Sequence, residues 1–144
     1  MSDSTHTNKW AIAILCLGLV LALPGRADQL IVDVVGIKRM GGAMMVAVFN
    51  SPEGWEDSQG PVATAKDSVA GPKVRLVFPD LSPGPYAVKL YHDENTNGEL
   101  DTNMLGIPSE GYGFSNYQRT LGEPDFEESM FMVDGETLIE ITLN

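Results

Sequence analysis

The chain has 144 residues, 43% of them hydrophobic, with 9 Lys and Arg against 20 Asp and Glu and a formal net charge of −11. A field of that sign repels phosphate backbones and anionic lipid, which excludes nucleic-acid binding and electrostatic attachment to membranes. One cysteine excludes a disulfide framework, and so few His and Cys exclude a structural zinc site.

The first 27 residues read as an address rather than as structure. Lys9 precedes an apolar run of 14 residues, Trp10 to Leu23, followed by Pro24-Gly25-Arg26-Ala27. That length suits a secretory signal and falls short of the ~20 residues needed to span a bilayer. Gly25 and Ala27 place small residues before a cleavage point at Asp28. The other reading is an uncleaved N-terminal anchor, since Asp3 makes the basic segment weak. Cys16 sits within the apolar run, without the small residues that mark a lipidation site. Cleavage predicts a mature domain of 117 residues, 28–144, with no cysteine and one histidine. Such a chain is long enough to bury a core without disulfides.

In chain order, six strands are predicted. Leu30–Val35 is β-branched and ends at Gly36. Ala43–Phe49 follows the Gly41-Gly42 turn and stops at Asn50-Ser51-Pro52. Lys73–Phe78 alternates, with Val74, Leu76 and Phe78 on one face. Tyr86, Val88 and Leu90 alternate with Ala87, Lys89 and Tyr91 in the next strand. Ser129–Val133 and Thr137–Leu143 flank Asp134-Gly135, a type I′ hairpin signal. A seventh strand is expected in Gly60–Ser68 or near Tyr117. No segment shows a convincing helical period, so the prediction is an all-β, antiparallel sandwich of about seven strands. The stretch from Asp93 to Glu127 is too long for a structureless loop and is expected to fold against one end or face of the sandwich. Leu105, Ile107, Tyr112, Phe114, Tyr117 and Phe126 supply apolar material for that packing.

Charge is unevenly placed. Residues 28–92 are nearly neutral, whereas residues 93–144 carry 12 acids and one base, Arg119. This half begins with the most informative segment, His92-Asp93-Glu94-Asn95-Thr96-Asn97-Gly98-Glu99-Leu100-Asp101. Oxygen-bearing side chains fall at alternate positions around Gly98, which can take the positive φ of a tight loop. The Asp-x-Asn-x-Asn-Gly core matches the first half of an EF-hand loop, but Met104 stands where a bidentate Glu is required. The flanks are a strand and a Gly/Pro-rich stretch rather than helices. Two readings follow. In one, Ca²⁺ takes charge from Asp93 and Asp101, neutral oxygens from Asn95 and Asn97, and the carbonyl of Glu99, with Glu110 or water completing the shell. In the other, the Asx residues and glycine build a metal-free turn by bonding their own backbone, and Glu110 bonds exposed amides.

Phe78-Pro79-Asp80-Leu81-Ser82-Pro83-Gly84-Pro85-Tyr86-Ala87-Val88 resembles the Pro-Gly hairpin of transthyretin-like and collagen-adhesin-B-type sandwiches. The resemblance implies an immunoglobulin/transthyretin-like fold with Tyr86 in the core. A longer string runs through Tyr91-His92-Asp93, Asn97-Gly98, Leu100-Asp101-Thr102-Asn103, Leu105-Gly106-Ile107-Pro108 and Glu110-Gly111-Tyr112-Gly113-Phe114-Ser115-Asn116. It looks like a bacterial family of exported proteins classed only as a domain of unknown function, and that resemblance brings no catalytic residue with it.

His92 beside Asp93 suits a strand-end hydrogen bond, a metal ligand or a general base. Gly113-Phe114-Ser115-Asn116-Tyr117 misses the second glycine of a nucleophile elbow and lacks its strand-turn-helix setting. Trp55 reads as a cover for the open end of the sandwich, or as an exposed platform for sugar. Met44, Met45, Met130 and Met132 read as core filler. The combined expectation is an exported, non-enzymatic sandwich whose acidic loop, residues 93–101, either binds calcium or serves as a self-structured recognition surface. The alternatives are a carbohydrate- or protein-binding module of the cell envelope without metal, and a small hydrolase built on His92 and Ser115.

Overall fold

The computed structural model describes residues 28–118 and 122–144; the expected leader at 1–27, with its cleavage point, lies outside the described residues. Among the described residues, eight strands form two sheets: β1 (Asp28–Val35), β2 (Ala43–Phe49), β3 (Ala63–Ser68), β4 (Val74–Leu81), β5 (Gly84–Asp93), β6 (Tyr112–Phe114), β7 (Phe131–Val133) and β8 (Glu136–Thr142). Two single-turn helices, α1 (Pro52–Glu56) and α2 (Phe126–Ser129), complete the described elements. All six predicted strands are present. Both positions offered for a seventh also carry strands, β3 in one and β6 just before Tyr117.

The first sheet has the order β4-β1-β8 and the second β3-β2-β5-β6, with β7 beside the start of β5. Alternation places Leu30, Val32 and Val34 of β1 and Val74, Leu76 and Phe78 of β4 on the inner face of the first sheet. They meet Met44, Val46 and Val48 of β2 and Tyr86, Val88 and Leu90 of β5, all buried in one core. Period-two patterning of β-branched residues is the cause, since only one register puts every large apolar side chain inside.

Two local expectations are corrected. Asp134-Gly135 does not close a hairpin: β7 pairs with β5, whereas β8 runs parallel to β1, with Leu30 opposite Thr137 and Val34 opposite Ile141. The Pro83-Gly84 turn likewise passes the chain from the first sheet to the second rather than joining neighbours. Tyr86 is buried as expected, and its hydroxyl donates to the Ser82 carbonyl at 2.8 Å, bracing that crossing.

On the outer face of the first sheet, Asp33 lies beneath Arg75 and Lys73. Arg75 donates from Nε and Nη2 at 2.6 and 2.7 Å, and the Lys73 ammonium stands 2.6 Å away. The Arg75 hydrogen bonds hold the Asp33 carboxyl well below the usual carboxylate range, with burial opposing and Lys73 assisting. A carboxyl whose folded pKa is depressed contributes stability above its unfolded value, near ~4, and loses it as pH falls further. Asp33→Asn is therefore expected to flatten the loss of stability below about pH 4. Urea midpoints across pH check this, and parallel profiles for the two proteins would refute it.

Candidate functional site

The acidic loop leaves the end of β5, where Asp93 stands opposite Ala43 of β2. Gly42 is required at this junction: its φ is +69°, and a Cβ there would lie 2.2 Å from the Asp93 carbonyl oxygen. Asp93 is fully buried, and its two carboxylate oxygens accept from the amides of Asn97 at 3.0 Å and Gly98 at 2.9 Å. Asn95 Oδ1 accepts from the Asn97 amide at 3.0 Å, and Asn97 Oδ1 from the Glu99 amide at 2.9 Å. Gly98 takes the expected positive φ, +84°.

Glu110 arrives from the far end of the segment. It is 8% exposed, and its oxygens accept from the amides of Glu94 at 2.8 Å and Asp101 at 3.0 Å. One carboxylate thus clamps both ends of the loop. The Tyr91 hydroxyl ties the tip back to β5 by donating to the Gly98 carbonyl at 2.8 Å. Burial, and then the charges of Asp93, Glu110 and Glu99, push the Tyr91 phenol upward, so it stays a donor across the ordinary pH range.

The structure therefore gathers Asp93, Asn95, Asn97, Asp101 and Glu110 at one loop. The side-chain nitrogens of Asn95 and Asn97 both donate to Asp101, at 2.6 and 3.0 Å. Glu99 enters this network through its amide. Among the described residues, no three Asp, Glu, His or Cys side chains come together as a metal-holding group.

His92 and Ser115 are not brought together. The His92 ring Nε2 bonds the Gly41 carbonyl at 2.7 Å, and because a carbonyl only accepts, that nitrogen carries the proton. Ser115 Oγ donates to the Ser129 carbonyl at 2.7 Å and accepts from the Val88 amide at 2.9 Å. Val88 and His92 are four residues apart on β5, roughly 13 Å along a strand. Both side chains are buried and serve as struts.

Beyond the loop lies a second feature, on the outer face of the second sheet. Half of that face is covered by a small core of Phe49, Trp55, Ala87 and Phe126, roofed by α1 and α2. Ser51 accepts from the Gly54 amide at 3.2 Å and Pro52 opens α1, which directs Trp55 downward. Trp55 is 1% exposed and its indole donates to the Pro124 carbonyl at 2.8 Å, so it is a cover and offers no platform for sugar. The Lys89 ammonium lies 4.4 Å from the Trp55 ring centroid and bonds the Trp55 carbonyl, Ser58 and Glu123.

The other half stays open as a groove of about 500 Å³, whose floor and walls include Met45, Ala47, Tyr91, Leu100, Tyr112 and Phe114. Volumes of that order and mostly apolar walls are typical of small-molecule sites. The signal for it was available in the sequence. Tyr91, Tyr112 and Phe114 are outward-facing strand residues, where a solvated face would carry polar side chains. The expected packing of the long segment holds for Phe126 and in part for Tyr112 and Phe114. It fails for Leu105 and Ile107, which with Met104 project into solvent from a turn held by Asn103. Of the four methionines read as core filler, Met44 is buried and Met132 is exposed.

Fold and site together define an all-β sandwich with a self-bonded acidic loop and an aromatic groove beside it. Residues 32–140 match DUF2141, described as an uncharacterized protein conserved in bacteria, and the chain belongs to that family. No curated protein and no solved structure gives a significant match. Among the described residues, no helix is long and apolar enough to cross a membrane.

Proposed function

We propose that this chain is an exported, non-enzymatic binding module of the bacterial envelope that takes its ligand in the groove beside the acidic loop. The observation that carries this reading is the groove itself, an open concavity of about 500 Å³ with aromatic walls. The loop supports it, because a turn whose Asp93 and Glu110 oxygens already hold four backbone amides is a rigid wall and needs no metal to form. Export rests on the leader pattern of residues 1–27. Intact mass from the native cell is expected to give an N-terminus at or near Asp28, and a full-length chain in the membrane fraction would overturn it.

Trp55 is the sole tryptophan of residues 28–144 and packs 5.9 Å from Phe114, so its fluorescence reports occupancy of the groove. Titration with glycans, amphiphiles and short peptides is expected to find one class that shifts the emission and protects groove amides in NMR. Perturbations confined to other surfaces would sink the reading.

A second reading is weak calcium binding at the loop, favoured by the convergence of Asn95 and Asn97 on Asp101. Ca²⁺ entry turns both amides so that oxygen replaces nitrogen, at the expense of their bonds to the Asn97 and Glu99 amides. That competition, and the missing twelfth ligand, set an expected dissociation constant of ~10⁻⁴–10⁻³ M. At ~1 mM Ca²⁺ and ~10⁻⁴ M affinity, mass action adds about 1.4 kcal/mol of stability. Melts in EDTA, Ca²⁺ and Mg²⁺ test it: a shift of a few degrees specific to Ca²⁺ supports the site, and equal melting in all three rejects it.

A further inference from the structure

We infer that the groove takes a single-chain amphiphile with an apolar body and an anionic head, a ligand class that deepens the binding-module reading and rests on it. The argument begins with the floor, which is the outer face of β2 and β5. Both strands are interior to the sheet, β2 between β3 and β5, and β5 between β2 and β6. Their main-chain N–H and C=O groups are consumed by those ladders. A peptide lying on this floor would bring its own main-chain donors and acceptors and find no partners for them. A glycan would bring many hydroxyls, and two of the groove's polar side chains are already engaged: Tyr91 donates to Gly98, and Lys89 bonds Trp55, Ser58 and Glu123. A hydrocarbon or aryl body carries no such groups and loses nothing on entering.

Charge selects the head group. The protein is strongly acidic, yet two of its lysines line this groove, Lys66 and Lys89. Lys89 is neutralised by Glu123. Lys66 is exposed on β3 opposite Met45, and among the described residues it has no carboxylate within ion-pair distance. It stands at the groove's rim as an uncompensated cation, above the apolar floor of Met45 and Ala47. A carboxylate, phosphate or sulfate at one end of an apolar chain is complementary to that arrangement. A cationic head would meet Lys66 itself.

The test uses residues 28–144 with decanoate, decanol and decyltrimethylammonium as matched probes, followed by NMR shifts and Trp55 emission. Decanoate is expected to bind best, with shifts at Met45, Tyr91 and Phe114. Lys66→Gln is expected to weaken decanoate about two- to fivefold at low salt, the range for an exposed ion pair, and to leave decanol unchanged. High salt should erase the same difference. Ala47→Trp should block both probes by filling the floor. Thr64→Trp, on the neighbouring β3 opposite Ala47, does the same from an exposed position if the first variant fails to fold. Equal binding of all three probes, or a Lys66→Gln variant indistinguishable from wild type, overturns the head-group assignment. Groove shifts from peptides or glycans but none from the amphiphiles overturn the ligand class and leave the binding module standing. No groove shift from any class defeats both.

Discussion

Replacing Trp55 by Ala is expected to cost about 3–5 kcal/mol of stability, the range for truncating a fully buried aromatic side chain. The ring sits at the centre of the outer core, edge-on to Phe49 at 5.8 Å and to Phe126 at 6.3 Å, and tilted against Phe114 at 5.9 Å. Truncation opens a cavity between α1, α2 and the sheet, and it frees the Pro124 carbonyl from its indole partner. It also strips the nearer of two aromatic faces from Lys89, which is 14% exposed and would keep the Phe49 ring at 5.3 Å. Against the ~5–15 kcal/mol of a typical domain, such a loss removes a large share of the total. Urea unfolding followed by far-ultraviolet circular dichroism measures it, since the variant lacks the tryptophan signal. A loss below about 1 kcal/mol would show that the outer core collapses around the gap.

Asp93→Ala, measured in EDTA so that no cation contributes, is expected to destabilise by about 3 kcal/mol. Hydrogen bonds to a charged group contribute ~1.5–3 kcal/mol each, and Asp93 holds two amides from a fully buried position. The amide of Asn97 retains Asn95 Oδ1 as a second acceptor, whereas the Gly98 amide has no second acceptor among the described residues. Most of the cost therefore falls at Gly98, whose amide hydrogen should exchange far faster in the variant. Asn95→Ala is the contrasting control: its side chain is exposed and its bonds are local, so a cost of ~0.5–1 kcal/mol is expected. If the two variants unfold at the same urea concentration, the loop is a solvated turn and Asp93 is no strut.

Much of this molecule was legible along the chain because its cause is local. Alternation in Lys73–Phe78 and Tyr86–Tyr91 follows from the two-residue period of a strand, and it set Val74, Leu76 and Phe78, and likewise Tyr86, Val88 and Leu90, each on one face, which is the buried one. The turn from Asp93 to Gly98 is equally local, since Asx oxygens reach amides two to five residues on.

What the tertiary structure decided is which faces and ends meet. Periodicity tells which side chains share a face and is silent on the partner of that face. Asp134-Gly135 therefore carried a hairpin signal, yet β8 lies parallel to β1, with Ile141 buried in the main core and β7 beside β5. Glu110 became a clamp only when its segment returned to residues 94 and 101, a closure set by the pairing of β6 with β5 and by the His92 amide bonding the Gly111 carbonyl. The groove has the same origin. Met45, Tyr91 and Phe114 belong to three strands, and they line one concavity because α1 and α2 roof half of the outer face and leave the rest bare. Local propensity acts over a few residues, whereas a concave surface is a property of elements far apart in the chain, and only their packing creates it.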